Sequence, residues 1–183
     1  MQIKLIVFIL CTIVLAIVSL RNFRKLEFRG IFRFLAWELI LALFLINMDF
    51  WFNQKFSIHQ VFSWGFLFIS FYLLADSTLL MIMEGKPRPN RPDAALFGFE
   101  KTTHLVTSRI YHYIRHPMYS SLLFLAWGLF LKGISWIAFI LAVASTLSII
   151  ASSLLEEKED IQYFGQKYLE YMKRTKRYIP FMI

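Results

Sequence analysis

Two of the four histidines, three tyrosines and two arginines of this 183-residue chain fall within Leu105–Tyr119, LVTSRIYHYIRHPMY. Pro117 there suits the first turn of a helix, where its missing N–H costs nothing. The free N–H groups of that turn, beside Arg115 and His116, would attract a carboxylate or a phosphate. Tyr111 and Tyr119 offer rings to a flat heterocycle and hydroxyls for hydrogen bonds. The same residues would equally serve as an interfacial belt that anchors a helix end. His112 and His116 have the i, i+4 spacing of a helical metal site. His116 precedes a proline, however, which disfavours helical backbone at that position, so no metal is expected.

Acids with possible chemistry lie elsewhere. Glu156-Glu157 follows a long apolar stretch and could hold ribose hydroxyls or an ammonium group at the membrane boundary. A solvated helix end beside Lys158 would look the same. Glu38 and Asp76 each sit about 10 Å into an apolar run at 1.5 Å per helical residue. Acids at such depth usually face the bundle interior, to line a site or to pair with Arg33 or another basic residue.

The elements that must position these groups are apolar. Hydrophobic residues make up 58% of the chain, 20 of them Phe, and charged residues only 17%. A water-soluble domain of this size could not hide that much apolar surface. The length suits one helical bundle, a single domain over 1–183 with its catalytic part in about 84–183. The lone Cys11 excludes an internal disulfide. No G-x-G-x-x-G, P-loop, G-x-S-x-G or zincin motif occurs.

Apolar runs at Leu5–Leu20, Ile31–Phe52 and Phe56–Met83 are each read as a crossing helix. No A-x-A cleavage site follows the first, which is therefore expected to stay in place. KPRPNRPD opens a loop, Glu84–Arg115, that prolines keep from being a regular helix. The apolar stretch Met118–Leu155 is too long for one crossing and suits a hairpin turning at Lys132-Gly133. Ser145, Ser148 and Ser152 would let its two arms approach closely. From Glu156 onward, Ile161, Phe164, Tyr168 and Tyr171 recur at helical spacing and predict an amphipathic helix. The expected fold is all-α and integral to the membrane, with five transmembrane helices, the last two a tight hairpin, and a C-terminal amphipathic helix.

Basic residues set the orientation. Arg21, Arg24, Lys25 and Arg29, the Pro-rich loop and the tail would share one side, against only Lys4, Lys55 and Lys132 on the other. By the positive-inside rule the N-terminus is outside, and the C-terminus and both site segments are cytoplasmic, in an inner or plasma membrane. The net charge of +8 flanks apolar runs, which fits anionic lipid headgroups as partners better than nucleic acid.

In their order and spacing, LVTS, Tyr111, RHPMY (Arg115–Tyr119), Glu156-Glu157, Phe164-Gly165, Tyr168, Tyr171 and a terminal RYIP resemble the isoprenylcysteine carboxyl methyltransferase family. That family sits in a wider group with membrane phospholipid methyltransferases. The resemblance covers roughly Thr103 to Pro180. It implies an integral-membrane enzyme using S-adenosylmethionine on a lipophilic or lipid-modified substrate. By position it implies cofactor contacts from Thr103, His104, Leu105, Val106, Tyr111, His116, Pro117, Met118, Tyr119 and Glu156, with Glu157 and Arg115 as catalytic groups. The sequence departs from that pattern at Arg109 and Ser121, where many relatives carry Gly. It departs also at Ser152, in place of an Arg that grips the substrate carboxylate. Sterol-type membrane reductases using NADPH look similar in this half, and a non-catalytic membrane protein keeping the fold is the third reading. If the basic bias sets orientation, a reporter active only outside the cytoplasm will work at Lys132-Gly133 and stay silent at the C-terminus. Activity at the C-terminus would mean an even number of spans.

Overall fold

The computed structural model describes residues 2–24, 28–53, 57–88 and 98–181. Much of the Pro-rich stretch, 89–97, lies outside the described residues, as do Lys25, Lys55 and Arg91. The described residues form six α-helices: α1 (Gln2–Arg24), α2 (Phe28–Asn47), α3 (Ile58–Met83), α4 (Pro117–Phe130), α5 (Trp136–Phe164) and α6 (Gln166–Arg174). Short 3-10 turns cover Met48–Phe50, Gly98–Glu100 and Arg109–His112. Helices α1, α2, α3 and α5 are long and apolar enough to cross a membrane. α4 has 14 residues, about 21 Å at 1.5 Å each, and is too short to count as a span by length alone.

Small residues decide how the helices meet. α2 packs along α5 and α3 along α4, while α1 packs on α2. The α3–α4 seam is held by Ser63 Oγ donating to Gly128 O (2.7 Å) and Ser70 Oγ to Ser121 O (2.7 Å). A Cβ at Gly128 would come within 3.1–3.2 Å of Leu67 and Phe66, so any larger residue makes those side chains give way. Contacts between α4 and α5 run in opposite order along the two helices. Tyr119 meets Ser152 and Trp127 meets Thr146, so the two pack antiparallel. α5 buries Ala138, Ala142, Ser145, Ile149 and Ser152 at three- and four-residue spacing.

The turn between α4 and α5 falls at the expected place, but Lys132 is not solvated. It is buried, donates to Gln60 Oε1 (3.0 Å) and lies 3.8 Å above the Trp64 ring. Gln60 Nε2 donates in turn to Lys132 O (3.0 Å), and Asn47 Nδ2 to Leu129 O (2.8 Å), so α2 and α3 both grip this turn.

At the other end, the expected tail helix is divided. α5 runs without a break through Glu156-Glu157 to Phe164, and Gly165, at φ +61°, ends it. The Glu pair thus sits two turns inside a helix instead of at its end. Beyond α6, the chain pairs with the RHP segment. Arg115 N donates to Lys176 O (2.8 Å), His116 N to Arg177 O (3.1 Å) and Lys176 N to Tyr113 O (3.0 Å), a parallel bridge. On the basis of the seam at Gly128, Gly128→Val should cost about 1–3 kcal/mol by overpacking. Thermal unfolding in detergent will show a lowered midpoint; an unchanged midpoint would mean that α3 and α4 are not in close contact there.

Candidate active site

His116 has φ −121° and ψ 60° and caps α4, with Pro117 in the first turn, so the X-Pro restriction acts as the sequence implies. Ser120 N donates to His116 O (2.9 Å) and begins the intrahelical ladder. The first-turn amides of Met118 and Tyr119 precede it. The residues that carry them line a cavity of about 280 Å³, together with Tyr111, Arg115, His116, Pro117 and Glu156. Its remaining lining includes the apolar residues Trp37, Leu74, Met81, Phe99 and Leu122, with Arg33 and Glu100. A smaller cavity of about 50 Å³ shares Tyr111, Arg115 and Glu156 and adds Leu105 and Val106, with Tyr168 and Tyr171 of α6.

The cavity walls therefore hold nine of the twelve residues expected in the site. Thr103, His104 and Glu157 line neither cavity. Thr103 and His104 fasten the backbone: their N–H groups donate to Gly85 O at 2.9 and 3.1 Å, and Thr103 Oγ1 donates to Lys86 O (2.9 Å). Gly85 permits this, because a Cβ there would lie 2.4 Å from Thr102 Cγ2. The clamp sets the segment that carries Leu105 and Val106 against the end of α3.

Glu157 is saturated. Its Oε1 accepts from Arg115 Nε (2.9 Å) and Arg177 Nε (3.1 Å), and its Oε2 from Arg177 Nη2 (2.7 Å). His116 Nε2 lies 3.3 Å from Oε1; an ionised carboxylate only accepts, so Nε2 carries its proton there. Arg115 also donates through Nη1 to Met172 O and Thr175 O. The Glu157 carboxylate beside Arg177 holds that guanidinium above its usual pKa. Glu157 thus ties α5, the RHP segment and the chain after α6 together.

Glu156 faces the cavity. Tyr119 OH donates to its Oε2 (2.8 Å), Arg29 Nη1 lies 3.3 Å from the same oxygen, and His116 Nδ1 lies 3.9 Å from Oε1. Tyr111 also faces both cavities. Its hydroxyl is buried with no hydrogen-bond partner among the described residues. Burial pushes this phenol well above its ordinary pKa, so it is a neutral donor awaiting an acceptor. Its backbone is fixed by Tyr171 OH, which donates to Tyr111 O (2.6 Å).

Asp76 and Glu38 stay out of the cavity. Asp76 is buried and pairs with Arg109 Nη2 (2.6 Å), while Glu38 accepts from Thr12 Oγ1 (2.7 Å) of α1. Arg33 instead donates to Glu100 (2.9 Å). Arg109 has φ +47°, a left-handed backbone that suits glycine, which gives physical sense to the Gly of similar sequences at this position. The His112 ring packs edge-on against Tyr113 and the His116 ring against Tyr119. Ser152 is fully buried; its Oγ donates to Arg29 O (3.1 Å) and lies 3.0 Å from Tyr119 OH.

Sequence reasoning missed Arg33 and Glu100 on the cavity wall and Arg29 and Arg177 against the Glu pair. The signal for Arg29 and Arg33 was their register. Arg29, Arg33, Ala36, Ile40, Leu43 and Asn47 recur at four- and three-residue spacing and are all buried on one face of α2.

The phospholipid methyltransferase family matches residues 90–167. The resemblance read from the motifs is borne out. Residues of the chain are 28% identical over 119 positions to a methanethiol S-methyltransferase of Pseudomonas deceptionensis, covering 64% of this chain and 42% of that protein. They are 30% identical over 76 positions to one of Crocosphaera subtropica, covering 42% and 29%. A third similarity, to methanethiol S-methyltransferase 1 of Bradyrhizobium diazoefficiens, is 30% over 96 positions and covers 46% and 33%. The chain thus spans less than half the length of these relatives. No solved structure matches.

The burial of the Glu157 cluster generates a stability prediction. Glu157→Ala strands Arg115 and Arg177 without their shared anion and should cost about 3–5 kcal/mol. The midpoint of unfolding in detergent will fall clearly; a wild-type midpoint would show that the carboxylate is not the anchor.

Proposed function

We propose that the chain is an integral-membrane, S-adenosylmethionine-dependent methyltransferase whose lipophilic acceptor carries no carboxylate. The observation that carries this reading is the cavity itself. A helix N-terminus with His116 and Arg115 stands on its wall together with the Glu156 carboxylate, and the rest of the lining is largely apolar. In this reading α4 and α5 each cross, as a tight hairpin, which makes five spans with the site on the cytoplasmic side.

The donor set suits the cofactor. The first-turn amides of α4 fit its carboxylate. Glu156 fits an ammonium group or ribose hydroxyls, and the unpartnered Tyr111 hydroxyl needs an acceptor. Leu105, Val106, Met118 and Tyr119 give flat or apolar contact. Thr103 and His104 act through the backbone they fasten, and Glu157 positions Arg115 and His116. When bound, the cofactor supplies a methyl group on a sulfonium centre. Transfer to a nucleophile is an in-line displacement, and the chain contributes alignment and exclusion of water.

The acceptor class follows from charge. Arg33 and Arg115 line the cavity, but each already faces a carboxylate, Glu100 and Glu157. An acceptor carboxylate would lack a counter-charge in an apolar cavity and be costly to desolvate. A neutral alkyl thiol meets no such penalty on entry and would release its proton to water as the methyl–sulfonium bond breaks and S-adenosylhomocysteine leaves. The named relatives are S-methyltransferases for a small thiol.

Calorimetry of detergent-purified protein should show binding of S-adenosylhomocysteine and none of NADPH. Glu156→Gln and His116→Ala should each weaken it at least tenfold, about 1.5–3 kcal/mol for a hydrogen bond to a charged group, with helical content unchanged. Wild-type affinity in both would move the site elsewhere. With labelled cofactor, an alkanethiol should be methylated and N-acetyl-farnesylcysteine poorly or not at all. Robust methylation of the prenylcysteine carboxylate would overturn the acceptor assignment.

A further inference from the structure

We propose that Arg29, on α2 and outside the residues matched to the family, is a positioning residue for Glu156 and so part of the ligand site. The inference rests on the methyltransferase reading above and deepens it. Arg29 is 1% exposed, although it lies one residue from the start of a helix whose only other charged residues are Arg33 and Glu38. A buried guanidinium is stable only with carboxylates near it. It has two, both on α5. Nη1 lies 2.9 Å from Glu159 Oε2 and 3.3 Å from Glu156 Oε2.

The contacts close a ring. Ser152 Oγ donates to the backbone O of Arg29 (3.1 Å) and lies 3.0 Å from Tyr119 OH. Tyr119 OH donates to Glu156 Oε2 (2.8 Å), which returns to the Arg29 guanidinium. Three helices, α2, α4 and α5, each contribute to it. One oxygen of Glu156 is thereby claimed by Tyr119 and Arg29 together, and the carboxylate plane is fixed. Oε1 remains for a donor on the ligand, with His116 Nδ1 3.9 Å away. A cation that merely balanced charge would need only to be near Glu156. The backbone tie through Ser152 fixes where on α5 that cation sits. Ser152 suits this position because its side chain is short enough to let α2 approach, while its hydroxyl donates to the Arg29 carbonyl.

The test is a double-mutant cycle on the full chain in detergent, read as calorimetric affinity for S-adenosylhomocysteine, with thermal unfolding followed in parallel. Arg29→Met should weaken binding about tenfold or more. In the Glu156→Gln background the same change should weaken it by less than about threefold, because the residue Arg29 acts through is already altered. Arg29→Lys should recover part of the affinity. Ser152→Ala, which leaves every charge in place, should weaken binding severalfold and carries the test if Arg29→Met does not fold. Wild-type affinity in Arg29→Met, or losses that multiply in the double mutant, would overturn the proposal while wild-type binding upholds the methyltransferase reading. Absence of binding by the wild type would overturn that reading, and this inference with it.

Discussion

Two adjacent carboxylates are largely buried near the end of α5, and they cannot be ionised there without counter-charges. That constraint organises one end of the molecule. Side chains at consecutive positions of a helix diverge by about 100°, so Glu156 and Glu157 address different neighbours. Glu157 turns to Arg115 and Arg177 and binds the end of the chain to the RHP segment. Glu156 turns to Tyr119 and Arg29 and faces the cavity. His116 stands between them, with one ring nitrogen toward each. The two neighbours thus take different places, Glu157 as the anchor of three segments and Glu156 on the cavity wall.

The opposite end is built on different terms. There the α4–α5 turn is gripped by a buried lysine, two amide side chains and tryptophan rings. Close packing along the α3–α4 seam links the ends, with serine hydroxyls bonded to neighbouring carbonyls where lipid offers no partner. In the proposed methyl transfer, rigid support of this kind would serve alignment, which supplies much of the rate of a displacement.

Much of this was legible in the residues. Long apolar runs marked α1, α2 and α3 within a few positions, because length and hydropathy are local properties. Pro117 marked the start of α4 for a steric reason that no tertiary context could change. The motif order grouped Tyr111, Arg115, His116, Pro117, Met118, Tyr119 and Glu156, and they line one cavity. What was not legible depended on contacts between distant segments. Arg29 reads as an interfacial charge until α2 is laid against α5, and Glu157 reads as a twin of Glu156 until Arg177 arrives from the end of the chain. The division of the tail at Gly165 turned on a single left-handed residue inside a helical pattern.

Closure of α2, the RHP segment and the Glu pair of α5 over one ligand is the central claim. Hydrogen–deuterium exchange of the detergent-solubilised protein, with and without S-adenosylhomocysteine, tests it most directly. Added protection is expected in residues 28–33, 102–119 and 152–160, with none at the α4–α5 turn over 130–136. Protection confined to that turn, or absent from 28–33 while present in the other two segments, would contradict it.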